Sequence, residues 1–265
     1  MTAIRPRRRT LVAAFLLTAV AAVAGGCGTG SSLDPVNTKY VTGDRKQRGL
    51  VIILPGIEGI SPANMEVRRG LLNAGIERAI MIYSWNRPGV IVNQVDFLGN
   101  RLAGAFVARV ISTYQDQYPD RPVHVIGHSG GGGVAVFAAE SLEEGRTVDG
   151  LILLSASISA GYDLSKALRH VEGRIVNFYN PADSALLGTG TTLMGTVDGA
   201  HTASAGLNGF TRNYPGLVQS RIHSYGGDPH FATTKQGFVT SRVAPLLGPD
   251  APPAPVTTNT PNLAP

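Results

Sequence analysis

The residues best equipped for chemistry stand together at Gly127-His128-Ser129-Gly130-Gly131. A serine hydroxyl is a weak nucleophile until a base takes its proton, and it reaches a substrate best from a sharp turn between a strand and a helix. Both flanks fit that setting. Residues 123–126, Val-His-Val-Ile, have strand character, and the Ala/Val-rich stretch through Val134, Val136, Phe137 and Leu142 reads as a helix. Glycine is needed at Gly127 and Gly131 because side chains two residues from the serine would collide with the adjoining strand or helix. The competing reading is a glycine-rich turn that cradles a phosphate. That loop requires a lysine followed by serine or threonine, and Val134-Ala135 occupy the place. Ser129 is therefore read as a nucleophile, which obliges the chain to supply a base and a carboxylate elsewhere. No histidine belongs to a metal-binding spacing such as His-Glu-x-x-His, so neither metal nor cofactor is expected.

The elements that must position this serine alternate along the chain. Strands are expected at residues 49–54, 79–83, 123–126, 151–154 and 174–178, with a weaker one at 218–225; helices are expected at 64–73, 92–114, after Gly131, and at 235–246. Residues 49–54 form a continuous apolar run that stops at Pro55-Gly56, as expected of a strand covered on both faces. The alternation argues an α/β class: a doubly wound, mostly parallel sheet flanked by helices.

With Ser129 on a strand–turn–helix, the stretch from residue 49 to 247 resembles the α/β-hydrolase superfamily, in which nucleophile, acid and histidine follow in that order. The resemblance implies an acid in the loop after the second strand beyond the nucleophile. Asp183, in Asn180-Pro181-Ala182-Asp183, fits, and Asp163 after the preceding strand is the reserve. It implies a base in the loop before the last helix, where His230 stands. His128 is expected to project from the elbow rather than toward the base; His223 is read as structural, and His124 and His170 as packing or surface residues. Oxyanion donors are implied at the amides of Gly130 and, after the first strand, Ile57, with Glu58 as a neighbouring candidate. Residues 155–173 leave room for only a small cap or none. The longer insert, 184–214, reads either as an apolar wall over the site or as a loop packed on the core. The implied activity is cleavage of carboxylic esters, of small molecules or lipids, through an acyl-enzyme on Ser129. The same triad would serve a thioester, amide or peptide, and a non-catalytic envelope protein on this fold is the rival from another class.

The ends carry a different message. Arg7, Arg8 and Arg9 precede an apolar stretch at residues 11–24 and the small pair Gly25-Gly26, the pattern of a secretory signal over residues 1–26 and too short for a permanent span. Cys27, the only cysteine, directly follows and can form no internal disulfide; the site resembles a bacterial lipoprotein cleavage point, implying acylation of Cys27, export and a lipid anchor in the cell envelope. Residues 27–47 read as a flexible tether, 48–247 as the domain, and 248–265 as a disordered proline-rich tail. The net charge of +5 comes largely from the leader: four of the 23 basic residues are Arg5 and Arg7 to Arg9, and 19 remain against 18 acidic ones. With no basic stripe interleaved with aromatics, no nucleic-acid partner is expected.

Overall fold

A computed structural model describes residues 35–183, 195–223 and 227–250. Six strands form one wholly parallel sheet in the order β2-β1-β3-β4-β5-β6, where β1 is Leu50–Leu54, β2 Ala79–Ile82, β3 Val123–His128, β4 Val148–Leu154, β5 Val171–Tyr179 and β6 Leu217–Arg221. After a single helical turn at Gly43–Lys46, the helices are α1 (Pro62–Asn73), α2 (Val90–Val95), α3 (Phe97–Gln117), α4 (Gly130–Glu140), α5 (Ser165–Leu168) and α6 (Ala205–Asn208). This is the doubly wound α/β-hydrolase arrangement.

Strand β1 explains why its sequence is apolar without alternation. Leu50, Ile52 and Leu54 enter the core shared with α3 and α4, while Val51 and Ile53 enter a second core with α1 and the C-terminal turns. Every residue of β1 is buried, as a parallel strand between two helical layers must be. Strand order reverses between β1 and β3, and in such sheets the crevice beyond the carboxyl ends of the strands at the reversal is the place for a ligand. Ser129 follows β3, and the Pro55-Gly56 loop follows β1.

Four expectations are corrected. The helix expected over 92–114 is two helices, because Asp96 leaves the helical conformation and its carboxylate accepts from the Gly99 amide, capping α3. The regular helix expected over 235–246 is a helical turn (Gln236–Phe238), a π-turn (Val239–Val243) and a 3₁₀ turn (Ala244–Leu247); Pro245 lacks the amide that an α-helix requires there. The tether expected up to residue 47 is folded from Val36 onward, where the compact unit begins. Asn37 Oδ1 accepts from the Ile82 amide and its Nδ2 donates to the Ile82 carbonyl, while Ile80 N donates to Tyr40 O, so this segment satisfies the free edge of β2. Finally, the tail expected to be disordered from residue 248 is held at its start: buried Arg78 donates to the carbonyls of Gly248 and Pro249 and pairs with Asp250 at 2.8 Å. A buried guanidinium demands such acceptors, and the tail is what supplies them.

Candidate active site

The elbow is a strained turn. Ser129 has φ 52° and ψ −122°, a conformation that non-glycine residues adopt only where the surroundings impose it. The surroundings do so on both sides: its amide donates to Leu154 O at 3.0 Å, and its carbonyl accepts from Gly132 N and Ser157 N at 2.9 Å each. The glycines are required by close approach. A Cβ on Gly131 would strike the carbonyl oxygens of Leu54 and Pro55, and one on Gly127 would strike Gly131 O and lie 2.6 Å from Gly132 Cα. All these obstacles are backbone, which cannot step aside.

His230 and Asp183 meet in a hydrogen bond of 2.6 Å, from imidazole Nδ1 to carboxylate Oδ2, with Asp183 only 3% exposed and His230 5%. A bond of that length between a ring N–H and a carboxylate is the charge-assisted kind. It fixes the proton on Nδ1 and leaves Nε2 as the ring's free acceptor. The loop of the acid is an Asx turn: Asn180 Oδ1 accepts from Ala182 N at 3.0 Å, and Asp183 N donates to Asn180 O at 3.0 Å. Asn180 Nδ2 also reaches Pro229 O at 3.4 Å, tying the acid loop to the histidine loop. On that second loop, the Asp228 carboxylate caps the 3₁₀ turn Pro229–Thr234 by accepting from His230 N.

His128 corrects one expectation. Rather than projecting away from the base, its ring lies 4.9 Å from the His230 ring, and its Nε2 donates to the His230 carbonyl at 3.2 Å. Burial first, and the neighbouring His230 second, push its pKa down to about 3, so the ring is neutral. A carbonyl only accepts, hence the single proton sits on Nε2 and the bare Nδ1 is buried without a partner among the described residues. The reason for the difference is that β3 runs on through His128, which turns this side chain to the face on which the His230 loop packs.

The loop after β1 is held by side chains that sequence reasoning missed. Trp85 Nε1 donates to Pro55 O at 2.8 Å, Asn86 Nδ2 to Gly56 O at 2.9 Å, and Asn93 Nδ2 to Ile57 O at 3.1 Å. Three consecutive carbonyls are thereby fixed, and with them the direction of the intervening amides. A Cβ on Gly130 would lie 2.7 Å from Ile57 Cγ2, so the two residues read as oxyanion donors are close neighbours. The only sequence signal for Trp85, Asn86 and Asn93 is that they follow β2, the strand that neighbours β1.

Of the remaining residues, Asp163 lies on the surface with Arg212, Tyr214 and the Ser165 amide, and the hydrogen bonds from Ser165 lead in holding its pKa down to about 2. It makes no bond to His230. His124 is buried, takes a hydrogen bond from Arg78 at 3.3 Å and has its pKa lowered to about 4, chiefly by burial and then by Arg78. His170 Nδ1 donates to Arg146 O, and His223 is exposed beyond β6. The insert divides: residues 184–194 lie outside the described residues, and 195–214 pack on the core through buried Val197 and Phe210. Cys27 and the apolar stretch at 11–24 also lie outside the described residues, among which no helix is long and apolar enough to cross a membrane. A surface cleft bordered by Ile76, Glu77, Thr240 and Pro245 sits at the opposite, amino end of the sheet and holds none of the site residues.

No protein-family model matches the chain. Its sequence is similar to the monoglyceride lipase of Rattus norvegicus, 34% identical over 71 residues, and to that of Mus musculus, 29% identical over 75 residues. These stretches cover 27% and 28% of this chain, and it spans only about a quarter of the length of those lipases (23% and 24%). Among solved structures it is similar to lipase B of Aspergillus fumigatus, with a TM-score of 0.49 at 14% identity, over 83% of this chain and 57% of that one. By the order of its strands and the elbow after β3, the chain carries the α/β-hydrolase fold.

Proposed function

We propose that the protein is a serine hydrolase that cleaves carboxylic esters through an acyl-enzyme on Ser129. The observation that carries this reading is the buried 2.6 Å bond between His230 and Asp183 on loops at the same end of the sheet as the strained serine. In the reaction, Ser129 Oγ attacks the ester carbonyl as its proton passes to His230 Nε2, and Asp183 stabilises the resulting imidazolium while holding Nδ1–H. The amides of Gly130 and Ile57 receive the negative charge on the carbonyl oxygen. Collapse of the intermediate breaks the ester bond, and His230 returns the proton to the departing alkoxide. Water, activated by the same histidine, then cleaves the acyl-serine. The partial likeness to monoglyceride lipases supports an ester of an alcohol as substrate. We also propose export and acylation at Cys27.

The test is hydrolysis of p-nitrophenyl esters from acetate to palmitate by the protein and by its Ser129→Ala and Asp183→Asn variants. Activity abolished in the first and reduced about 10³–10⁴-fold in kcat in the second is expected. Folded protein inert across the series would remove the ester reading. For the anchor, partition into detergent should be lost on Cys27→Ser once the leader has been processed, and unchanged partition would overturn it.

A further inference from the structure

Helices α2 and α3 are apolar on two faces, and the described residues cover only one. The inward face of α3, with Ala103, Val107, Ala108 and Ile111, is buried against the sheet and α4. On the outward face Ile91 is 63% exposed, Val95 52%, Leu98 75%, Leu102 54% and Phe106 46%. Their spacing of three or four residues within each helix puts Ile91 and Val95 on one face of α2, and Leu98, Leu102 and Phe106 on one stripe of α3. Scattered exposed apolar side chains need no explanation, but a stripe of large ones marks an interaction surface.

We propose that this stripe is a docking surface for a lipid bilayer. Two features of the chain favour a bilayer as occupant. Between residues 87 and 109 the only charged side chains are Arg87, Asp96, Arg101 and Arg109. Arg87 pairs with Asp96 at 3.0 Å and Arg101 with buried Glu140 at 3.1 Å, so the apolar stripe carries little net charge, its one carboxylate is already neutralised, and nothing there opposes the settling of an interfacial helix among acyl chains. The chain also enters the compact unit at Val36, beside the carboxyl end of β2, because Asn37 is bonded to Ile82, the last residue of that strand. This is the end of the sheet from which α2 departs. Nine residue steps separate Cys27 from Val36, a reach of at most about 30 Å, so an acylated Cys27 would keep this end of the molecule near a membrane. That part of the argument rests on the anchor proposed above; the stripe and its paired charges do not.

Docking there would also serve the candidate site. On the inner side of the same helix, Asn93 holds the Ile57 carbonyl and Gln94 donates to Ser157 Oγ at 3.3 Å. A bilayer against the outer side would thus lie next to the loops that border Ser129.

The experiment uses the full chain carrying Cys27→Ser, so that no acyl chain contributes and a single new cysteine can bear an environment-sensitive fluorophore. Leu98→Cys places the label on the stripe, and Asn73→Cys places it on an exposed position at the opposite end of the sheet. Both proteins are mixed with vesicles of phosphatidylcholine and phosphatidylglycerol in equal parts. The expected result is a blue shift on adding vesicles for the label at 98 and none at 73. No shift at 98 overturns the proposal, as does an equal shift at both positions. So does a label at 98 that is blue-shifted before vesicles are added: dependence on protein concentration would assign the stripe to a second copy, and independence would assign it to another segment of this chain. Because neither label touches the candidate triad, ester hydrolysis measured on the same samples reports separately on the hydrolase reading.

Discussion

At the scale of single residues, the candidate site depends on side chains that touch no reacting atom. Asn180 is the clearest case: one side chain closes the Asx turn that presents Asp183 and reaches the loop that presents His230. Its replacement by alanine should leave the protein folded while loosening the relation between acid and base. We expect kcat to fall on the order of 10- to 100-fold with KM nearly unchanged, since misplacement by a fraction of an ångström costs rate more than binding. Steady-state kinetics on a p-nitrophenyl ester measures this, and an unaltered kcat would assign the residue to turn formation alone. His128 acts similarly through the backbone, donating to the carbonyl of the very residue proposed as base.

At the scale of elements, the parallel sheet has to end somewhere, and β2 is one of its edges. An unpaired edge strand is an invitation to wrong partners. Here the segment from Val36 to Tyr40 answers it, with Asn37 supplying both a donor and an acceptor to Ile82. Asn37→Ala removes both bonds at once and leaves a backbone amide and carbonyl to find water. A loss of about 1–3 kcal/mol is expected from denaturant unfolding, with a raised tendency to associate in light scattering. A change within a few tenths of a kcal/mol would mean that water replaces the side chain at no cost. The same contact explains why the chain is ordered well before the first strand, although its composition resembles a linker.

At the scale of the whole molecule, two buried histidines tie folding to pH. His124 and His128 have pKa values lowered to about 4 and about 3, so the folded protein holds both neutral where the unfolded chain would protonate them. Their contribution is fully present above the unfolded pKa of about 6.5 and is lost as pH falls toward the folded values. Between pH 6.5 and 4 each costs the fold ~1.4 kcal/mol per pH unit. His124→Gln, which can still accept from Arg78, should therefore reduce the slope of stability against pH in that window by about that amount. Urea titrations at several pH values read the slope directly, and parallel curves for the two proteins would show that His124 titrates normally.

How much of this was legible beforehand follows from the range of the forces involved. The six strands and the elbow could be anticipated, because continuous apolar runs and the glycines around Ser129 express local steric requirements, whereas Asp183 and His230 were implied only by the resemblance to the α/β-hydrolase superfamily, which says which loops carry acid and base. The roles of Trp85, Asn86, Asn93 and Asn180 could not, since each is defined by a carbonyl it meets across the fold. Nor could the docked start and tail: Asn37 and Asp250 look like linker residues until β2 and buried Arg78 present groups that must be paired. Local sequence determined which elements form and where a strained serine could sit. Only tertiary structure decided which polar groups became buried, and hence which distant side chains had to satisfy them.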